Sequence, residues 1–111
     1  MDWLKNDIPH AVVELLHNSI CSVEQLESLL LLKRNAHTQF TAEQVATNLR
    51  TSVMGADNTL QLLNLHGFVQ SAGDGCYRYA GSPELDQLVE ELEGLYKVRR
   101  FSVIQTIYNK P

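Results

Sequence analysis

The chain has 111 residues, of which 44% are hydrophobic and 20% are charged. This composition is typical of an ordinary globular protein and excludes disordered and fibrous classes. A chain of this length is expected to form a single domain with its own core, without disulfides or structural metal. Nine Lys and Arg against thirteen Asp and Glu give a formal net charge of -4, so the overall field does not favour nucleic acid or anionic lipid.

The two cysteines, Cys21 and Cys76, are far apart and belong to no CxxC or metal-ligand pattern. We therefore expect two reduced thiols and no metal or other cofactor. The first seven residues lack the apolar run of a signal peptide, and no stretch approaches the roughly 20 apolar residues that span a membrane. These observations predict a cytoplasmic protein that does not enter a membrane.

The first part of the chain predicts two helices. Apolar residues in Ile8–Ile20 follow the spacing of an amphipathic helix, which would precede the main module. Ser22 and Gln25 have the spacing of a capping box and predict that a second helix begins there. Its leucine-rich run, residues 26–32, is apolar on more than one face, so we expect it in the core or shared with another chain.

Two short helices are predicted next, after a very short strand at Gln39–Phe40. Thr41 to Gln44 form another capping box, and Thr51 or Ser52 caps a further helix that ends before Gly67. The expected inward residues are Ala42, Val45, Ala46 and Leu49 in the first of these helices, and Val53, Ala56, Leu60 and Leu63 in the second. Two short capped helices separated by a tight turn are typical of a helix-turn-helix.

A β-hairpin and a long helix complete the prediction. Phe68–Ser71 and Cys76–Tyr79 are strand-like runs, and the glycines between them suit the positive backbone dihedrals of a hairpin tip. Ser82 and Pro83 are typical of a helix start. From there the pattern predicts one uninterrupted helix to about Asn109.

Residues 22–79 resemble the winged helix-turn-helix superfamily, in the manner of MarR-type bacterial transcription regulators. The resemblance rests on TAEQVATNLR with Ala46, on TLQLLNLHGFVQ with Leu60 and Leu63, and on the glycine-rich hairpin that follows. It implies a mainly α fold with a small β-wing, here extended by an N-terminal helix and a long C-terminal helix.

In DNA-binding members of this superfamily the second helix of the motif enters the major groove. The resemblance then implies that the exposed face of helix 52–66 carries Gly55, Asn58, Thr59, Leu62 and His66. On this alternative the protein is a transcription regulator that uses helix 52–66 and the wing, residues 68–79. Its base contacts would come from Asn58 and Thr59, with Arg78 on the wing, and its phosphate contacts from Lys33, Arg34, Arg99 and Arg100.

The charge of the module favours a protein partner instead. Helix 52–66 has no Lys or Arg and one acid, Asp57, and residues 22–79 carry four cations and five acids, a net charge of -1. DNA affinity depends largely on cations placed on phosphates. We therefore expect a non-catalytic regulatory or adaptor module that recognises a protein through Leu62, Leu65 and His66, unless the rotation of the helix buries one of the two leucines in the core. The four histidines lie in separate elements and form no catalytic pattern.

The predicted C-terminal helix is apolar over a wide arc, which favours a homodimer over packing within one chain. The expected interface residues are Leu92, Leu95, Phe101, Ile104 and Tyr108. Lys97, Arg99 and Arg100 form a dense basic cluster on the same helix, which is interpreted as a solvated face.

Overall fold

The computed structural model describes residues 8–109, which form six helices and three short strands. The mainly helical class with a small sheet is therefore confirmed. The first seven residues, where the sequence lacks a signal-peptide pattern, lie outside the described part. The helices are α1 His10–Ser19, α2 Val23–Arg34, α3 Ala42–Leu49, α4 Val53–Leu65, α5 Pro83–Val98 and α6 Arg100–Tyr108; the strands are β1 Phe40–Thr41, β2 Val69–Ser71 and β3 Cys76–Tyr79.

The chain divides into two compact units at residues 23/24 and 82/83. The first unit contains α1, α5 and α6, with α1 packed against both C-terminal helices. The second contains the remaining elements from Glu24 to Ser82, with α3 packed against α4. The expectation that these units fold as a single domain stays a prediction.

The three strands of the second unit form one antiparallel sheet in the order β1-β3-β2. Thr41 pairs with Cys76 at one edge, and Gln70 pairs with Arg78 at the other. The hairpin between β2 and β3 is closed by a hydrogen bond from the Ala72 amide to the Cys76 carbonyl, 2.8 Å long. Gly73 and Gly75 both have positive φ, as the sequence predicts for the hairpin tip.

The capping box at Thr41 is confirmed. The Thr41 hydroxyl accepts a hydrogen bond from the Gln44 amide at 3.2 Å, and the Gln44 side chain accepts one from the Thr41 amide at 2.9 Å. This exchange satisfies two amides that would otherwise lack partners at the start of a helix. Of the inward residues expected in α3, Ala42, Val45 and Ala46 are buried and Leu49 is half-buried.

Apolar residues from most elements are fully or nearly fully buried. The leucine-rich run of α2 belongs to the core of this chain, because Leu26, Leu29, Leu30 and Leu32 are at most 1% exposed. In α1 the predicted apolar stripe is buried except for Ala11, which is exposed. The largest fully buried side chains are Leu16, Ile20, Gln25, Leu26, Leu29, Leu30, Leu32, Leu60, Leu63, Phe68, Leu92 and Ile107.

The C-terminal helix is not continuous, so the prediction of one helix to Asn109 is wrong. Arg99 leaves the helical conformation, with φ -130° and ψ 42°, and separates α5 from α6. In one unbroken helix, Tyr96, Val103 and Ile107 would lie on the same side. Arg99 and Arg100, which come between Tyr96 and Val103, would lie close to that side as well. The break leaves Arg99 and Arg100 exposed while Val103 is fully buried. The Arg100 guanidinium lies over the Tyr96 ring, 4.7 Å from its centre.

Ser28 in α2 is a buried polar residue whose hydroxyl makes no hydrogen bond with the residues that the structure describes. We expect Ser28→Ala to raise the free energy of unfolding by about 1 to 2 kcal/mol, because it removes an unsatisfied buried hydroxyl and improves helix propensity. Urea denaturation followed by circular dichroism measures the change. Thr47→Ala, at an exposed position of α3, is the control for propensity and should gain only about 0.5 kcal/mol. A loss of stability in Ser28→Ala would contradict this prediction.

Candidate functional site

Helix α4 carries the residues that the sequence predicts to bind a partner. Each end of α4 is defined by hydrogen bonds between residues that are close in sequence. The Ser52 hydroxyl accepts a hydrogen bond from the Gly55 amide at 2.9 Å, as expected of an N-cap. At the other end the Phe68 amide donates to the Leu63 carbonyl and the Gly67 amide donates to the Asn64 carbonyl. This is the Schellman arrangement, and Gly67 has the required positive φ of 82°.

One surface stripe of α4 is exposed to solvent along the whole helix. It consists of Met54, Asn58, Gln61 and Leu65, whose spacing places them on one side at about 100° per residue. We call these four residues the α4 outer face. Met54 is 76% exposed and Leu65 is 77% exposed, while Asn58 and Gln61 are polar and uncharged. The Gln61 side chain donates a hydrogen bond to the neighbouring Asp57 carboxylate at 2.7 Å.

The inward side of α4 is turned by only about 30° from the predicted one. Ala56, Leu60 and Leu63 are fully buried, as expected. Val53 was expected to face inward and is 47% exposed, whereas Thr59 was expected to face outward and is 6% exposed. Both of these predictions are wrong.

Helices α4 and α2 approach each other closely on one side of α4. A Cβ atom on Gly55 would lie 2.9 Å from Oε1 of Glu24, so this side of α4 faces the start of α2. The same Glu24 oxygen accepts a hydrogen bond from the Thr51 hydroxyl at 3.0 Å. Thr59 follows Gly55 by one helical turn on the same side of α4. Thr59 therefore lies on the side of α4 that approaches α2, whereas Met54 lies on the exposed side.

The three residues predicted to bind a partner all reach the surface. Leu65 lies on the α4 outer face, Leu62 lies beside it at 37% exposed, and His66 is exposed at the C-cap. The alternative that one of the two leucines is buried in the core is wrong, because both are exposed. Sequence reasoning missed Met54 and Gln61, although the i, i+4, i+7, i+11 spacing of Met54, Asn58, Gln61 and Leu65 could have identified them.

The residues proposed for DNA contact belong to both units and differ in their exposure. Asn58 is exposed on α4 and Arg78 is exposed on β3, but Thr59 is buried and offers almost no surface to a base. Lys33 is half-buried, with its Nζ 5.5 Å from the centre of the Tyr79 ring. Arg34 is exposed at the end of α2, and Arg99 and Arg100 are exposed in the other unit.

The residues proposed for the dimer interface are also in different environments. Leu92 is fully buried within the chain, so its expected place on an interface is corrected. Leu95 and Ile104 are half-buried, and Phe101 is 69% exposed. Tyr108 is 59% exposed, and its hydroxyl accepts a hydrogen bond from the Val23 amide at 3.2 Å. The break at Arg99 removes the long uninterrupted stripe on which that interface depended.

The described residues also bear on other kinds of site. Between residues 8 and 109, no three His, Cys, Asp or Glu side chains are grouped so that they could hold a metal ion. Cys21 is exposed and Cys76 is half-buried, and no disulfide joins them. None of the helices in this part of the chain combines the length and the apolar character that crossing a bilayer needs. The chain matches no protein-family model, no curated protein and no solved structure.

Proposed function

We propose that the protein is a non-catalytic adaptor module of the winged-helix type, which recognises a protein partner through the α4 outer face. The winged-helix assignment is supported by the order of elements in the second unit: α2, β1, α3, α4, β2 and β3. It is also supported by the pairing of β1 with β3, which attaches the hairpin to the strand before α3.

The observation that carries this proposal is the exposure of Met54 and Leu65 on one uncharged stripe. The two side chains are 11 positions apart, or about 16 Å along the helix axis. Apolar anchors at such spacing suit an apolar groove on a partner, with the amides of Asn58 and Gln61 available for hydrogen bonds between them. Burial of each anchor would contribute about 1 to 2 kcal/mol to binding.

The same helix is poorly suited to DNA. It has no Lys or Arg, and its remaining base-reading candidate beside Asn58, namely Thr59, is buried. Because the helix itself offers no cation to a phosphate, a complex with DNA would depend on residues outside it for the sequence-independent part of its affinity. The alternative function is transcription regulation through DNA contacts of Asn58 and Arg78. The experiments below distinguish it from the adaptor function.

We expect Leu65→Asp to reduce the affinity for the partner by about 10- to 100-fold, because it removes an apolar anchor and adds a charge to the interface. Quantitative capture from a lysate of the source organism compares it with the wild-type protein. Asn64→Asp is the matched control, because it introduces the same charge at an adjacent exposed position off the α4 outer face. Circular dichroism should show an intact fold for both variants, since both side chains are exposed.

Two results would contradict the adaptor function. One is a set of captured proteins that is identical for the wild-type protein, Leu65→Asp and Asn64→Asp. The other is binding to random-sequence duplex DNA at low salt that weakens steeply as salt rises, because this dependence reports cations on phosphates. The adaptor function predicts no such DNA binding at any salt concentration.

A further inference from the structure

We propose that α5 forms an antiparallel pair with α5 of a second copy of this chain, and that the two helices cross at Gly94. This self-association is separate from the α4 outer face and from the interface that the sequence predicted around Leu92. It rests on a glycine, on two charged residues and on one apolar side chain, all of which lie on the outward side of α5.

Gly94 is an exposed residue in the middle of a 16-residue helix. Glycine is the least favourable residue for a helix interior after proline. The chain itself gives no reason for it, because a Cβ at this position would meet no described atom within 4 Å. Glycine is used where a backbone must approach another surface closely. An outside helix that crosses at Gly94 would supply that reason.

The charged residues on either side of Gly94 can form ion pairs with the same residues of a second copy, when the two copies are related by a two-fold rotation. Glu90 lies one turn before Gly94 and Lys97 lies one turn after it, and both are exposed on the same side of α5. Neither side chain makes an ion pair with another residue in the range 8–109. In an antiparallel pair centred on Gly94, Glu90 of each copy comes opposite Lys97 of the other copy. Two identical ion pairs would then enclose the crossing point.

Val98 adds an apolar contribution to the same surface. Val98 lies one turn after Gly94, and its side chain is 71% exposed. Around the helix axis, Val98 and Lys97 lie on opposite flanks of Gly94. In the antiparallel pair Val98 would be covered by the methylene groups of Glu91 from the second copy. Since one helix face buries less surface than a standard interface, we expect a dimer with a dissociation constant on the order of micromolar.

Sedimentation equilibrium of the full chain across micromolar to millimolar concentrations tests this proposal. We expect a monomer–dimer equilibrium for the wild-type protein. Glu90→Lys and Lys97→Glu alone should each weaken the dimer at least about tenfold, because each places like charges opposite one another twice. An equimolar mixture of the two variants should restore it as a heterodimer, in which both pairs of charges are again complementary. Glu43→Lys, an exposed control in the other unit with the same change of net charge, should dimerise like the wild type.

Gly94→Gln provides an independent test of the close approach. Glutamine favours helix and has space within the chain, so the thermal midpoint of the monomer should rise. The same side chain would separate the two helices, so the dimer should weaken by at least about tenfold. The proposal is overturned by a wild-type protein that is monomeric throughout, by a dimer that Gly94→Gln or the charge reversals leave unchanged, or by variants that do not restore association when mixed.

Discussion

Replacing Thr59 with aspartate is expected to lower the free energy of unfolding by about 3 kcal/mol or more, because it places an unpaired carboxylate in the interior of the second unit. Thr59 is only 6% exposed, and aspartate is too short to carry its charge out to solvent. Small domains are stable by about 5 to 15 kcal/mol, so this loss is a large part of the total. Urea denaturation followed by far-ultraviolet circular dichroism measures it.

The matched control is Asn58→Asp, which introduces the same side chain at the preceding position. Asn58 is exposed on the α4 outer face, so its substitution should change stability by no more than about 0.5 kcal/mol. The pair of variants therefore reports the rotation of α4 about its axis. If Thr59→Asp were tolerated and Asn58→Asp were destabilising, the inward and outward sides of α4 would be reversed.

Replacing Phe68 with alanine is expected to lower the free energy of unfolding by about 3 to 5 kcal/mol. Its side chain is fully buried and is among the largest in the core. Its backbone also makes two hydrogen bonds. The Phe68 amide donates to the Leu63 carbonyl at the end of α4, and the Phe68 carbonyl accepts from the Ala80 amide at 2.9 Å. The cavity left by the ring would lie where α4 passes into β2. Denaturation in urea measures this loss as well.

Phe101→Ala is the control for Phe68→Ala, because it removes the same ring from a position that is 69% exposed. Its effect on the free energy of unfolding should stay within about 0.5 kcal/mol at concentrations where the protein is monomeric. A loss for Phe68→Ala as small as the one expected for Phe101→Ala would mean that Phe68 is not a core residue. Full refolding of both variants on dilution is needed for the comparison.

The ends of several elements could be predicted from the sequence, because their signals act over three or four residues. The Thr41 capping box, the Ser52 cap and Gly67 at the end of α4 are all present as predicted. The hairpin between β2 and β3 also follows from the glycines at its tip. In each case a side chain or a positive φ satisfies backbone groups of its own neighbours, so no distant contact is needed.

The candidate site could be predicted only in part. The sequence indicated that α4 would carry it and that Leu62, Leu65 and His66 would reach the surface. It did not identify Met54 as the second apolar anchor. The run from Leu60 to Leu65 has leucines on several sides of the helix, and such a run does not fix which side faces the core.

The sequence alone therefore predicts the helices and strands and most of the residues at which they begin and end. The folded chain fixes which side of α4 faces the core: Thr59 is only 6% exposed, on the side where a Cβ on Gly55 would lie 2.9 Å from Oε1 of Glu24. The tertiary structure also decided the break at Arg99, where no proline or glycine marks a helix end. Signals for a helix end act within a few residues, and here the apolar spacing continues through Tyr96 and Val103, so the pattern alone could not show the break.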